Sequence, residues 1–165
     1  MTARPVNLLS GRFAQMAYVT TNIEQALEVF AQQGVSEFVC AHDARFDIGG
    51  GREALCHVAL AFSGGLQIEV IEPVGGAVEV YRAPFRGEQF QLHFHHQCHW
   101  VETMEEFASI RQAMRDRGYD IVIDGSSPQA VYFYADLRKQ LGHFVEYVRF
   151  DPAIFSQLQA SVPVN

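Results

Sequence analysis

The sequence predicts an α+β fold made of two βαβββ modules. Three observations carry that expectation: the chain repeats itself, each repeat opens on a strand-like run that passes through a helix cap, and each helix is followed by three stretches of β-forming residues. The repeat is seen by setting "FAQMAYVTTNIEQALEVFAQQG" from Phe13 beside "FHHQCHWVETMEEFASIRQAMRDRG" from Phe94. An internal duplication is the most economical description.

The elements follow in order. In the first copy Asn22 and Gln25, and in the second Thr103 and Glu106, form the pattern in which a cap and the third helical residue satisfy each other's free backbone donors. Ile23, Leu27 and Phe30 then fall on one helical face, as do Phe107, Ile110 and Met114. Gly34 and Gly118 stand where a helix ends on a left-handed residue. After the first helix come "SEFVCAH", "EALCHVALAF", an "SGG" turn and "LQIEVIE"; after the second, "YDIVID", "AVYFYADL", a polar turn with Gly142 and "HFVEYVRF". The chain 1–165 is thus expected to be one domain: module 1 (13–73), a Gly- and Pro-rich linker (74–92), module 2 (93–150) and a tail (151–165) with a short helix from Pro152.

Composition narrows the class of function. A hydrophobic fraction of 48% with 19% charge is ordinary for a soluble globular protein, and a formal net charge of -7 argues against a phosphate-backbone binder, so no nucleic-acid role is assigned. "MTARPVNLLSG" lacks the apolar core and cleavage site of a leader, and no run approaches the roughly 20 apolar residues that span a bilayer. A cytoplasmic protein without a membrane partner is expected. Cys40, Cys56 and Cys98 are odd in number and form no CxxC pair, which reads as small buried apolar groups.

Strand alternation then exposes an anomaly. Phe13, Gln15, Ala17 and Val19 should share one side of the first strand, with Met16 and Tyr18 under the helix, and Gln67, Glu69 and Ile71 one side of the fourth. In the second copy Phe94, His96, Cys98 and Trp100 should share a face, as should Phe144, Glu146 and Val148. Gln15, Glu69, His96 and Glu146 thereby occupy equivalent places, separated by 54 residues in one copy and 50 in the other. If the modules pair about a pseudo-two-fold axis, the four converge, and a shared dication would offset the cost of two buried carboxylates. From alternation alone, both glutamates can equally face solvent.

These segments resemble the vicinal oxygen chelate superfamily, which includes lactoylglutathione lyase (glyoxalase), methylmalonyl-CoA epimerase, extradiol dioxygenases and bleomycin-resistance proteins. The resemblance runs from Phe13 to about Phe150 and rests on "FAQMAYVTTNIEQAL", "GGLQIEVIEP", "FHHQCHWVETMEEF" and "LGHFVEYV". It implies a curved eight-stranded mixed sheet around a central cup with helices on the outer face. The family's metal positions fall on Gln15, Glu69, His96 and Glu146, and three oxygens with one imidazole nitrogen suit a six-coordinate divalent ion such as Zn, Ni, Co, Mn or Mg. His93, His95 and His99 are expected on the opposite face of the strand from His96, and Gln97 and His99 stand where the family places apolar residues.

The chemistry the resemblance implies is that of a metal-dependent isomerase or lyase, either glyoxalase-like or acyl-CoA epimerase-like. A proton α to a carbonyl is moved while the cation stabilises an enolate or enediolate. Glu146 serves as ligand and base, and His57, alone in an apolar run, is a second acid–base candidate whose other reading is a structural histidine. Tyr134 and Trp100 are candidates for the cup lining that orients a small-molecule substrate, and Tyr132 for its wall. The segments Asp43 to Glu53 and Val74 to Gln89 are expected to be loops shaping the entrance. Arg12, Arg52, Arg82, Arg86 and Arg138 are available to grip a phosphate or carboxylate tail. Two other readings stand beside this one: a non-catalytic small-molecule binding protein of the bleomycin-resistance type, and an extradiol dioxygenase, disfavoured because Gln15 occupies a histidine place. Module pairing is available within one chain or across two, which leaves a homodimer open.

Overall fold

In the computed structural model, which describes residues 7–165, the element order is β1 (Arg12–Thr20), α1 (Ile23–Ala31), β2 (Val39–Gly49), β3 (Arg52–Ser63), β4 (Leu66–Gly76) and α2 (Glu79–Arg82), followed by β5 (Leu92–Trp100), α3 (Met104–Asp116), β6 (Ile121–Ser126), β7 (Ala130–Asp136), α4 (Arg138–Leu141), β8 (Phe144–Phe150) and α5 (Pro152–Ser161). The first six residues, part of the stretch read for a leader, lie outside the described residues. Among the described residues no helix is long and apolar enough to cross a membrane.

The strands form one eight-stranded mixed sheet in the order β2-β3-β4-β1-β5-β8-β7-β6. Each half is ordered alike: its first strand pairs in parallel with its last, which leads outward through antiparallel partners. The halves join where β1 and β5 run antiparallel. Gln15 faces Cys98 and Ala17 faces His96 across that join. Because Gln15 and His96 hold the same place in the repeat, as do Ala17 and Cys98, the pairing is what a local two-fold axis between β1 and β5 requires.

The sheet curves until its two edge strands meet. The Ser126 amide donates to the Asp47 carboxylate at 3.1 Å, and the Tyr132 hydroxyl donates to the Asp47 carbonyl at 2.7 Å. Within the curve Val19, Cys56, Val58, Ile71, Tyr81, Ile123, Tyr134 and Phe144 form the inner core. Outside it, α1 packs Ile23 and Ala26 on Ala59 and Val70, and α3 packs Phe107, Ile110 and Met114 on Phe133, Val145 and Tyr147. Burying one such large side chain contributes about 1.5–3 kcal/mol, which outweighs the helices' intrinsic propensity and fixes which face turns inward.

The caps form as half of the expected boxes. Asn22 accepts from the Gln25 amide and Thr103 from the Glu106 amide. The return bonds differ: the Asn22 amide donates to the Thr20 hydroxyl and the Ile23 amide to Glu72 of β4, while Glu106 accepts from the Glu102 amide, one residue before the cap. Gly34 and Gly118 take the expected left-handed conformation at φ 89° and 78°.

Several expectations are corrected. The segment Asp43 to Glu53 is no loop: β2 continues to Gly49 and turns through Gly50 and Gly51 into β3, and a bulge between Ala41 and Ala44 lets Asp43 sit at φ 54°. The linker is partly structured, since β4 runs on to Gly76 and α2 follows, its Tyr81 buried in the inner core. Cys40 is exposed because β2 is an edge strand, whereas Cys56 and Cys98 are buried thiols.

Two bulges also reset the faces of the central strands. A register shift between Phe13 and Gln15 moves Phe13 out of the cup and against His99. A second shift, where Ala17 faces His96 but Tyr18 faces Phe94, turns Phe94 outward against Tyr18 and brings His95 to the same side as His96. An extra residue in one strand inverts the alternation beyond it. His99 does lie on the outer face, where Gln97 and His99 pair at 3.1 Å.

Candidate active site in the cup

Two neighbouring rows of residues cross the middle of the sheet. The first runs Gln67, Gln15, Cys98, Glu146, Tyr134 over β4, β1, β5, β8 and β7. The second runs Glu69, Ala17, His96, Phe144. Ala17 contributes only a methyl group between Glu69 and His96, so the carboxylate and the imidazole meet over it. His96 Nε2 lies 3.6 Å from Glu69 and 3.3 Å from Glu146, with the Tyr134 hydroxyl also at 3.3 Å. These residues come from one chain. Gln15 stands in the adjacent row and donates its amide to Gln67 at 2.8 Å, which keeps its carbonyl oxygen as the group it can present.

The environment is that of an enclosed polar cluster in an apolar vessel. His96 is fully buried, and the Glu69 and Glu146 side chains are 15% and 12% exposed. A cavity of about 380 Å³ opens over them, lined by Val58, Leu60, Ile71, Trp100, Tyr132 and Val148, with Arg45 among its other lining residues. Burial, with the charge of Glu146 beside it, pushes the Glu69 carboxyl up to about 8. Burial likewise raises the Tyr81, Tyr134 and Cys98 groups well above their ordinary ranges, each further raised by the two glutamates. His95 is held down to about 3 by burial and by His96.

Of the residues singled out in the sequence, Glu69, His96 and Glu146 meet directly, Tyr134 touches His96, and Gln15 and Trp100 line the same cavity. The Trp100 ring is itself braced by Phe155 at 4.2 Å and the Arg12 guanidinium at 4.6 Å. His57 does not join the group. Strand alternation turns Cys56 and Val58 into the inner core and His57 outward, where its Nδ1 accepts from the Asp43 amide at 3.1 Å and its ring meets His42. Among the other arginines considered, Arg82 donates to the Pro73 carbonyl, Arg86 to those of Ala83 and Phe85, and Arg138 pairs with Asp136.

Sequence reasoning missed His95 and Tyr81. Alternation assigns His95 to the wrong face unless the bulge is known, and Tyr81 lies in a segment read as linker; its one available signal was an aromatic residue within "AVEVYRAPF".

The donor set has the chemistry of a divalent-cation site: two carboxylates, an imidazole nitrogen and an amide oxygen. Among the described residues, no group of three or more His, Cys, Asp and Glu is disposed around a vacant point where an ion could sit as it stands. The side chains instead contact one another, His96 Nε2 against both carboxylates, so admitting an ion requires them to part.

The family profile described as Glyoxalase/Bleomycin resistance protein/Dioxygenase superfamily matches residues 14–134. A comparison with curated proteins found no match. Among solved structures, methylmalonyl-CoA epimerase from Mycobacterium tuberculosis superposes with a TM-score of 0.56 at 14% identity, covering 94% of this chain and 97% of that one. A hypothetical protein from Bacillus halodurans C-125 gives 0.50 at 17% identity over 86% and 96%. A Streptomyces coelicolor methylmalonyl-CoA epimerase variant in complex with 2-nitronate-propionyl-CoA gives 0.50 at 11% identity over 86% and 96%. At these identities the likeness is one of fold.

Proposed function

The chain belongs to the glyoxalase/bleomycin resistance protein/dioxygenase superfamily, and from that membership and the geometry of the cup we propose that it is a metal-dependent isomerase or lyase that moves a proton α to a carbonyl. The observation that carries the reading is the meeting of Glu69 and Glu146 on His96 Nε2 beneath an apolar cavity. Glu69, His96, Glu146 and the Gln15 carbonyl would hold the divalent cation, which as a Lewis acid would polarise the substrate carbonyl and stabilise charge developing on its oxygen.

Glu146 is the base in this reading. It lies at the cavity floor, and in the proton transfer the substrate C–H bond breaks, an O–H bond forms on Glu146, and the electron pair passes to the carbonyl oxygen. Return of the proton from Glu146 to the neighbouring carbon gives an isomer, whereas an epimer requires a second acid to protonate the opposite face of the same carbon, which Glu146 alone does not supply. Tyr134 positions the reacting end through His96, and Trp100 with Val58, Leu60 and Ile71 excludes water from it. His57, on the outer face, takes no part. Small acyl thioesters and hemithioacetals suit the chemistry, and a compound with these groups is the proposed partner.

Deuterium exchange at the α-carbon of a 2-methyl-branched acyl thioester and of a methylglyoxal hemithioacetal tests this. Exchange should be lost on treatment with a chelator and return with divalent metal, fall by about a hundred- to ten-thousand-fold in Glu146→Gln, and persist in His57→Ala. Exchange undiminished in Glu146→Gln removes that residue as base. Tight binding of such compounds with no exchange under any metal would favour the second reading, a small-molecule binding protein, to which the same apolar cavity lends itself.

A further inference from the structure

We propose that His95 is a positioning residue that fixes the tautomer of His96, so that the lone pair of His96 Nε2 points at Glu69 and Glu146. The inference deepens the functional reading above and rests on it only for what the lone pair is used for.

The argument is one of hydrogen-bond parity along a buried relay. His95 Nε2 lies 3.1 Å from the Val80 carbonyl oxygen. A carbonyl only accepts, so the proton between them belongs to His95 Nε2. A neutral His95 then has its lone pair on Nδ1, and that atom lies 2.8 Å from His96 Nδ1. Two nitrogens at that distance share one proton, so His96 supplies it from Nδ1, and a neutral His96 then carries its lone pair on Nε2. At the far end of the relay the Tyr134 hydroxyl lies 3.3 Å from that nitrogen, and as a donor it is compatible with a lone pair there.

His95 is 3% exposed and its ring packs on Tyr81, Tyr134 and Phe144, a setting that disfavours a charged imidazolium. Two features of the fold place it there. The bulge in β5 sets His95 and His96 side by side facing inward, and α2 lowers the Val80 carbonyl onto the outer nitrogen. Without the relay, the carboxylates would attract a proton to His96 Nε2 and occupy the position a cation needs. A partner on the second nitrogen of a metal-binding histidine sets its tautomer and typically alters affinity by 10–100-fold when removed.

The test begins with metal-free wild-type protein carrying ¹⁵N-labelled histidine. Long-range ¹H–¹⁵N correlation spectra should show His96 protonated on Nδ1 and unprotonated on Nε2, with His95 in the opposite tautomer. In His95→Leu the His96 proton should move to Nε2, and Zn²⁺ affinity measured by calorimetry should drop about 10–100-fold. His95→Gln, whose amide can donate to Val80 and accept from His96, should restore both. A wild-type His96 with its proton on Nε2 overturns the inference, as does a His95→Leu protein with unchanged tautomer and Zn²⁺ affinity. If wild-type protein binds no Zn²⁺ yet shows the expected tautomers, the relay stands and the metal-dependent reading fails, so the two failures are distinguishable. The wild-type spectrum decides the tautomer even if His95→Leu does not fold.

Discussion

Asp47 on β2 and Gly125 on β6 approach so closely that a β-carbon at position 125 would collide with the Asp47 carbonyl oxygen and with the Tyr132 ring. The same carbonyl accepts from the Tyr132 hydroxyl, so this contact is the clasp that closes the curved sheet over the cavity. Gly125 is required here for close approach, not for backbone freedom. Gly125→Ala should therefore destabilise the protein by about 1–3 kcal/mol, as overpacking does, read as a lower midpoint in thermal or urea unfolding. A midpoint unchanged from wild type would mean that the edges do not meet in solution.

Metal content distinguishes a shared site from an ordinary buried ion pair. Protein purified without added metal should retain a divalent ion, and His96→Ala should lose most of it, because His96 Nε2 is the atom on which both glutamates converge. Equal content in the two proteins, measured by elemental analysis, would take His96 out of the site.

Removing the cation should expose the strain between the carboxylates as a pH dependence. Glu69 is raised from its ordinary 4.5 to about 8 by burial and by Glu146. Between those values the folded chain keeps a proton that the unfolded chain has released, so the contribution of Glu69 to stability is fully present below pH 4.5 and is lost as pH rises toward 8. In chelator-treated protein, the thermal midpoint of wild type should fall more between pH 5 and 8 than that of Glu69→Gln. Parallel slopes would contradict the assignment.

The legibility of the site varied residue by residue. Glu69 and Glu146 were visible as carboxylates inside apolar strands, and His96 through its place in the repeat, because period-two alternation is a local property and the duplication doubles every signal. Phe13, Phe94 and His95 were misplaced for one reason: each lies at or beyond a bulge, and a single extra residue reverses alternation without leaving a mark in composition. His57 failed differently. Its apolar run is real, but whether it faces the cup depends on which of its neighbours pack inward, and Cys56 and Val58 do.

The amino-acid order alone determined the two modules, their caps and helical stripes, and the four polar positions related by the repeat, since each follows from forces acting within a few residues. Tertiary structure decided the antiparallel join of β1 to β5, the bulges that set His95 against His96, the descent of Tyr81 and Val80 from α2, and the clasp at Asp47. Those arise from pairings between residues 15 to 88 positions apart, whose free energy depends on how whole strands register and bury one another. A short sequence window holds no record of that register.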